Sequence, residues 1–205
     1  MTIRFHRNDL PDLDNYQVDA VAIDTETLGL RPHRDRLCVV QLSPGDGTAD
    51  VVQIDAGQKK APNLVALLKN RKIAKLFHYA RFDIAVLYNA FGVMADPVFC
   101  TKIASRLTRT YTDRHGLKDL CNELIGVSLS KAQQSSDWAA KDLSPEQLEY
   151  AASDVLYLHQ LRDKLLERLQ RENRLREAEA CFRFLPTRAR LDLMGWEEED
   201  IFAHS

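Results

Sequence analysis

Val18-Asp19-Ala20-Val21-Ala22-Ile23-Asp24-Thr25-Glu26 is an apolar run that ends in two acids. Val21, Ile23 and Thr25 alternate with Ala20, Ala22, Asp24 and Glu26, which is the period-two pattern of a β-strand. Residues two apart on a strand face the same side, about 6.5–7 Å from one another along the chain. Asp24 and Glu26 therefore project together from the strand end. Unpaired carboxylates in a sheet are costly, and a divalent cation would offset that cost. The plainer reading is that the strand simply ends there and both acids meet solvent.

Downstream, LCVVQL at 37–42 and DVVQI at 50–54 read as two further strands, joined across Ser43-Pro44-Gly45-Asp46-Gly47, a strong turn signal. The three strands form a meander. Residues 63–69 read as a short helix and 73–77 as a buried strand. A helix then runs from Phe82 through Leu87 to about Phe91, with Gly92 as its stop. Residues 98–100 make a short fifth strand, and 101–108 and 117–124 are helices. Ser144-Pro145-Glu146-Gln147 is a helix start, with Ser as N-cap, Pro at the first position and Gln completing a capping box. That helix is expected to run to about Arg171. The pattern predicts an α/β domain with a five-stranded mixed sheet.

Composition limits the function classes. Hydrophobic residues are 45% and charged residues 28%, ordinary for a globular domain. A net charge of −2 argues against binding nucleic acid by bulk attraction, so any such binding must be local. The four cysteines show no C-x-x-C pairing, which argues against a zinc site or a disulfide framework and suits a reducing compartment. Met1 to Asn15 carries charges throughout and has no apolar segment of a signal peptide, and no run is long enough for a membrane helix. A cytoplasmic protein with no membrane partner is expected. No glycine-rich nucleotide-binding sequence is present.

Two more acids carry chemistry. Asp83, in Phe77-His78-Tyr79-Ala80-Arg81-Phe82-Asp83, follows a buried strand and opens a helix, where the dipole alone could explain it. His78, at the same strand end, is either a substrate-orienting group or a satisfied structural histidine. On the long helix, Tyr150, Asp154, Leu158, Leu161 and Leu165 fall on one stripe. The leucines must face the core, so Tyr150 and Asp154 point toward the sheet. A carboxylate in line with buried leucines needs a partner, and no lysine or arginine occupies the neighbouring stripe positions. Four acids and a tyrosine from distant segments fit two hard cations about 3.5–4 Å apart clamping a phosphodiester. Tyr150, with an ordinary pKa near 10, would position the attacking water rather than deprotonate it.

These blocks resemble the DEDD exonucleases, and within them the ribonuclease D type. Ile23-Asp24-Thr25-Glu26 is similar to motif I, His78-x-Ala80-Arg81-x-Asp83 to motif II, and Tyr150-x-x-x-Asp154 to motif III of the tyrosine subclass. Lys131-Ala132-Gln133-Gln134-Ser135-Ser136-Asp137-Trp138 resembles the segment that precedes motif III in that group. The resemblance implies an RNase H-like fold and two divalent cations, Mg²⁺ or Mn²⁺. It implies release of 5′-nucleotides from an RNA 3′ end, in tRNA 3′ processing or RNA turnover. By that resemblance Asp24 bridges both metals, Glu26 and Asp154 complete one site, and Asp83 supports the other through water.

Motif I continues Thr27-Leu28-Gly29-Leu30, more like the proofreading exonucleases of DNA polymerases. There, a backbone group at the position of Thr27 contacts the terminal sugar and a leucine at that of Leu30 wedges the last base, which leaves single-stranded DNA open as a substrate. The exonuclease domain is expected over 1–171, with 172–205 a helical tail packing on or extending it. Longer relatives carry helical RNA-binding modules there, so grip on RNA must come from the nuclease domain, a partner or an oligomer. Lys102, Arg106 and Arg109, at i, i+4 and i+7, are candidates for phosphate contact or a solvated face, as are Arg31, Arg34 and Arg36. Trp138 is a packing aromatic or a base-stacking platform. Two rival readings are a phosphatase of the haloacid dehalogenase group, which Asp24-Thr25-Glu26-Thr27 matches except at Glu26, and a non-catalytic nucleic-acid-binding scaffold.

Overall fold

The computed structural model describes residues 2–130 and 132–204. Six strands form one mixed sheet in the order β1-β4-β3-β2-β5-β6. They are β1 (Thr2–Arg7), β2 (Ala20–Thr27), β3 (Leu37–Ser43), β4 (Thr48–Gln53), β5 (Ala74–Phe77) and β6 (Val98–Cys100). β2, β3 and β4 are the antiparallel meander, while β5 and β6 extend it in parallel beyond β2. β2 thus lies near the middle, and its acidic end pairs with β3 but runs past its pairing with β5.

The sixth strand corrects the five expected. β1 pairs parallel with β4 at the sheet edge, and its charged residues hid it. What holds it is polar. Asp50 on β4 accepts from Arg4 Nε at 2.8 Å and Nη2 at 2.7 Å, and from the Tyr16 hydroxyl at 2.6 Å, and pairs with His6 Nε2 at 2.7 Å. Apolar alternation cannot report a strand fixed by one buried carboxylate.

Among the described residues the α-helices are α1 (Pro62–Lys69), α2 (Ala80–Phe91), α3 (Thr101–Thr108), α4 (Leu117–Ile125), α5 (Pro145–Leu156), α6 (Leu158–Arg171) and α7 (Leu175–Leu191). α2 stops where Gly92 adopts the left-handed conformation, at φ 66°. α5 starts from the full capping box of Ser144 and Gln147. The single helix expected from 145 to 171 is two, because the backbone departs from helical hydrogen bonding at Tyr157 (φ −104°, ψ −5°). The apolar stripe runs through the break without a skip, which is why periodicity did not register it. α5 lies against β2, β3 and β4, whereas α6 packs on α3, α4 and β5. Leu158, Leu161 and Leu165 are wholly buried, each contributing roughly 1.5–3 kcal/mol of apolar burial. Residues 172–205 include α7, whose Ala178, Phe182, Leu185 and Ala189 join the same core.

Candidate active site

β2 delivers Asp24 and Glu26 as its spacing dictates, and α5 brings Asp154 over them. One carboxylate oxygen from each of Asp24, Glu26 and Asp154 lies within 4.8 Å of the others. They line a cleft of about 680 Å³ together with Tyr150, His78, Lys102 and Trp138. A register shift between Glu26 and Thr27 puts a β-bulge at this point, a device that re-aims side chains beside active sites. Asp83 sits just behind the cluster. It is 2% exposed, and its carboxylate accepts from the Thr25 hydroxyl at 2.8 Å.

Crowding and burial dominate the electrostatics. Burial raises Asp24 well above the usual carboxylate range, and Asp83, Asp154 and Glu26 raise it further. Glu26 is pushed up to about 9 by burial and then by Asp154 and Asp83. Burial raises Asp83 and Asp154 to about 7, against the hydrogen bonds from Thr25 and Tyr150 respectively. Among the described residues, no lysine, arginine or histidine forms a salt bridge with any of the four. Three hard oxygen donors held together, with a fourth carboxylate behind them and none of the four in a salt bridge among the described residues, suit a divalent cation. Burial and the neighbouring acids raise the Tyr150 hydroxyl above its ordinary value, so it stays protonated and available as a donor.

The remaining candidates separate. Leu30 is 86% exposed at the rim, next to Thr27, whose hydroxyl donates to the Gly29 carbonyl at 2.5 Å. A Cβ at Gly29 would meet Asp35 Oδ2 at 2.3 Å, so that carboxylate would have to move to admit one. His78 Nδ1 is 2.9 Å from Thr101 Oγ1, and burial, then Lys102, lowers its pKa to about 3, so the ring is neutral. Lys102 Nζ sits 4.5 Å from the Tyr79 ring centre, at the cleft wall. Arg106 is exposed. Arg109 does not share that face. It is 1% exposed and its guanidinium is held by Glu123, Ser105 and the Arg114 carbonyl. It stands one residue past the end of α3, as its C-cap, and Glu123 of α4 captures it, which spacing within α3 cannot show. Arg34 and Arg36 are likewise engaged, by Asp35 and by the Leu37 and Ile54 carbonyls.

A family model described as a 3′-5′ exonuclease matches residues 10–170. The chain belongs to the 3′–5′ exonuclease family. It is similar to Ribonuclease D of Gluconacetobacter diazotrophicus, 38% identical over 155 residues, which covers 76% of this chain and 39% of that protein. The chain thus spans well under half the length of this curated relative. Among solved structures it is similar to Brucella melitensis NrnC with bound Mg²⁺, at 76% identity and a TM-score of 0.97, each chain fully covered. The same protein bound to pGG gives 76% identity and a TM-score of 0.98, again with both chains fully covered. Escherichia coli RNase D, described as an exoribonuclease, aligns at 29% identity and a TM-score of 0.75 over 85% of this chain and 46% of that one. The mixed sheet flanked by helices is therefore the RNase H-like fold of the ribonuclease D group.

Three features of this exonuclease site escaped the sequence pattern. Gln41 on β3, wholly buried, donates from Nε2 to Asp24 Oδ2 at 3.3 Å. A lone amide inside LCVVQL was the signal for it. Thr25, read only as a strand residue, fixes Asp83. Gln147 does double duty, because its Nε2 donates to Ser136 Oγ at 2.8 Å and the Asp137 carbonyl at 3.1 Å while its Oε1 completes the capping box. That anchors the loop bearing Trp138, whose ring lies 5.9 Å from that of Tyr150 and is buried, as a packing aromatic would be. Lys131 of the same segment lies outside the described residues. No helix among the described residues is long and apolar enough to cross a membrane.

Proposed function

We propose that this chain is a 3′→5′ exoribonuclease that releases 5′-nucleotides from an RNA 3′ end with two divalent cations, Mg²⁺ or Mn²⁺. The observation that carries this reading is the convergence of Asp24, Glu26 and Asp154, with Asp83 behind them, unmatched by any salt bridge among the described residues. Asp24 would hold both cations, Glu26 and Asp154 one of them, and Asp83 would support the other from farther out. When bound, the cations supply Lewis-acid chemistry, acidifying a water and neutralising charge on the phosphate.

The chain's own residues do the rest. Tyr150 is a protonated donor beside the acids and orients the attacking water by hydrogen bonding. Leu30, apolar and exposed at the rim, is placed to pack on the terminal base, with Leu28 beside it. Neutral His78 and cationic Lys102 line the same cleft and suit sugar and phosphate. Arg106 lies farther along α3. One relative supports the reading in two structures: Brucella melitensis NrnC was captured with Mg²⁺ in one and with pGG in the other. The RNA whose 3′ end is trimmed, in tRNA processing or general turnover, follows from the ribonuclease D likeness alone.

The test is side-by-side digestion of 3′-labelled RNA, single-stranded DNA and duplex DNA with Mg²⁺ or Mn²⁺, including a short RNA such as pGG. Stepwise loss of 5′-nucleotides from RNA is the expected result. Faster digestion of DNA would move the substrate toward that of proofreading exonucleases, as Thr27-Leu28-Gly29-Leu30 suggests. No cleavage of any nucleic acid would favour the scaffold reading.

A further inference from the structure

Arg81 stands in the first turn of α2, two residues before Asp83. A cation at a helix N-terminus opposes the helix dipole, so its presence there calls for an external partner. That partner comes from the far end of the described chain. Arg81 Nε donates to Asp192 Oδ2 at 2.5 Å and Nη2 to Oδ1 at 2.9 Å, a fork-to-fork pair. Nη2 also donates to the Glu197 carbonyl. Asp192 is 5% exposed and takes a further contact from Arg188 Nε at 3.1 Å. Arg188 in turn holds the Trp196 carbonyl at 2.6 Å and the Glu199 carbonyl at 3.0 Å.

The same segment reaches the other wall of the cleft. Glu197 Oε2 is 3.5 Å from His33 Nδ1, in the loop that follows β2 and carries Leu28 and Leu30. That loop is also tied to α2, where Asn89 donates to the Pro32 carbonyl at 2.9 Å. Residues 192–197 therefore touch both the turn that carries Asp83 and the loop that carries the rim leucines. α2 leaves β5 through Tyr79 in a left-handed conformation (φ 72°, ψ 43°), with no side-chain cap. Locally its first turn is closed by the Phe82 N–H donating to the Tyr79 carbonyl at 3.0 Å, and the Arg81 fork ties the same turn to a distant segment.

We propose that Arg81 and Asp192 are positioning residues for phosphodiester cleavage. Their pairing sets the first turn of α2, and with it the place of Asp83 beside Thr25 and the acidic cluster. This rests on the metal-dependent nuclease reading, since Asp83 matters only if it supports a cation. Neither residue lines the cleft.

The test compares Asp192→Asn, Arg81→Lys and Arg188→Ala in the full chain by steady-state kinetics on labelled RNA, Mn²⁺ binding by electron paramagnetic resonance, and thermal melting. Asp192→Asn should lower kcat and weaken Mn²⁺ binding by about 10-fold or more, as loss of outer support for metal ligands does, while KM changes little. Arg81→Lys, which keeps the charge but cannot fork, should fall between this variant and wild type. Arg188→Ala loosens the segment but leaves the fork intact, so at a similar loss of Tm it should keep most of kcat. The proposal is overturned if folded Asp192→Asn has wild-type kcat and Mn²⁺ affinity. It is equally overturned if Arg188→Ala loses as much kcat as Asp192→Asn at equal Tm. If Asp192→Asn does not fold, Arg81→Lys decides, and wild-type values there sink the idea. Should the wild type bind Mn²⁺ yet cleave nothing, the nuclease reading fails while the binding data still test the pair.

Discussion

Asp50 and Asp24 are both carboxylates on adjoining parts of one sheet, and the protein treats them in opposite ways. Burial pushes Asp50 up, but hydrogen bonds from Arg4, Tyr16 and His6 outweigh it and hold its pKa below the usual range. Burial also pushes Asp24 up, and there the neighbours are Asp83, Asp154 and Glu26, which push the same way. At the sheet edge the fold brings a guanidinium to the acid. At the centre it brings more acid. A domain that satisfies one buried charge this thoroughly leaves the acidic cluster unmatched, which is the contrast that the proposed cation site explains.

The comparison can be broken first by deleting each acid. Asp24→Ala should reduce turnover on RNA by on the order of 10³-fold or more, because the proposed cation ligand is lost. Its thermal midpoint should hold or rise, since mutual repulsion is relieved. Retained turnover would refute its assignment. Tyr150→Phe should slow turnover by about 100-fold while leaving Mn²⁺ binding nearly intact, because a positioned donor is lost and no ligand is. Wild-type rates in that variant would remove Tyr150 from the chemistry. Asp50→Asn should do the reverse, costing about 2–4 kcal/mol of stability through the unpaired Arg4 and His6, with kcat within about 3-fold of wild type in folded protein. Denaturant melts alongside kinetics would show whether the two carboxylates divide stability and catalysis in this way.

The smallest effect sharpens the comparison through pH. A carboxyl raised in the folded state favours folding below its unfolded pKa, and that contribution is lost as pH rises through the folded value. For Asp83 and Asp154 the loss begins near pH 4 and is complete by about 7, and for Glu26 it continues up to about 9. Asp50, lowered, loses its contribution in acid instead. The chelator-treated protein should therefore melt about 5 °C lower at pH 8.5 than at pH 6, and Mn²⁺ should restore more of that at the higher pH. A metal effect on Tm independent of pH would mean that the cation binds elsewhere.

The sequence made the site more legible than its supports. Strand spacing placed Asp24 and Glu26 together, and the stripe from Tyr150 to Leu165 turned Asp154 toward the sheet, because burial of leucines is a one-dimensional signal. The capping box was readable for the same reason, since all its partners lie within four residues. What stayed hidden depends on partners distant in sequence. β1 is held by Asp50, 46 residues from Arg4. Arg109 is turned inward by Glu123, 14 residues on. The break at Tyr157 leaves the apolar period untouched, and the bulge after Glu26 inserts an offset that alternation over so short a stretch cannot count.

Gln147 ties the start of α5 to the segment around Trp138 with a single side chain. Fraying of that helix end and release of the segment are therefore one event, not two. Amide hydrogens in both stretches would exchange as a shared cooperative unit. Any slow breathing that lets product leave past Trp138 would then be governed by how firmly a helix begins.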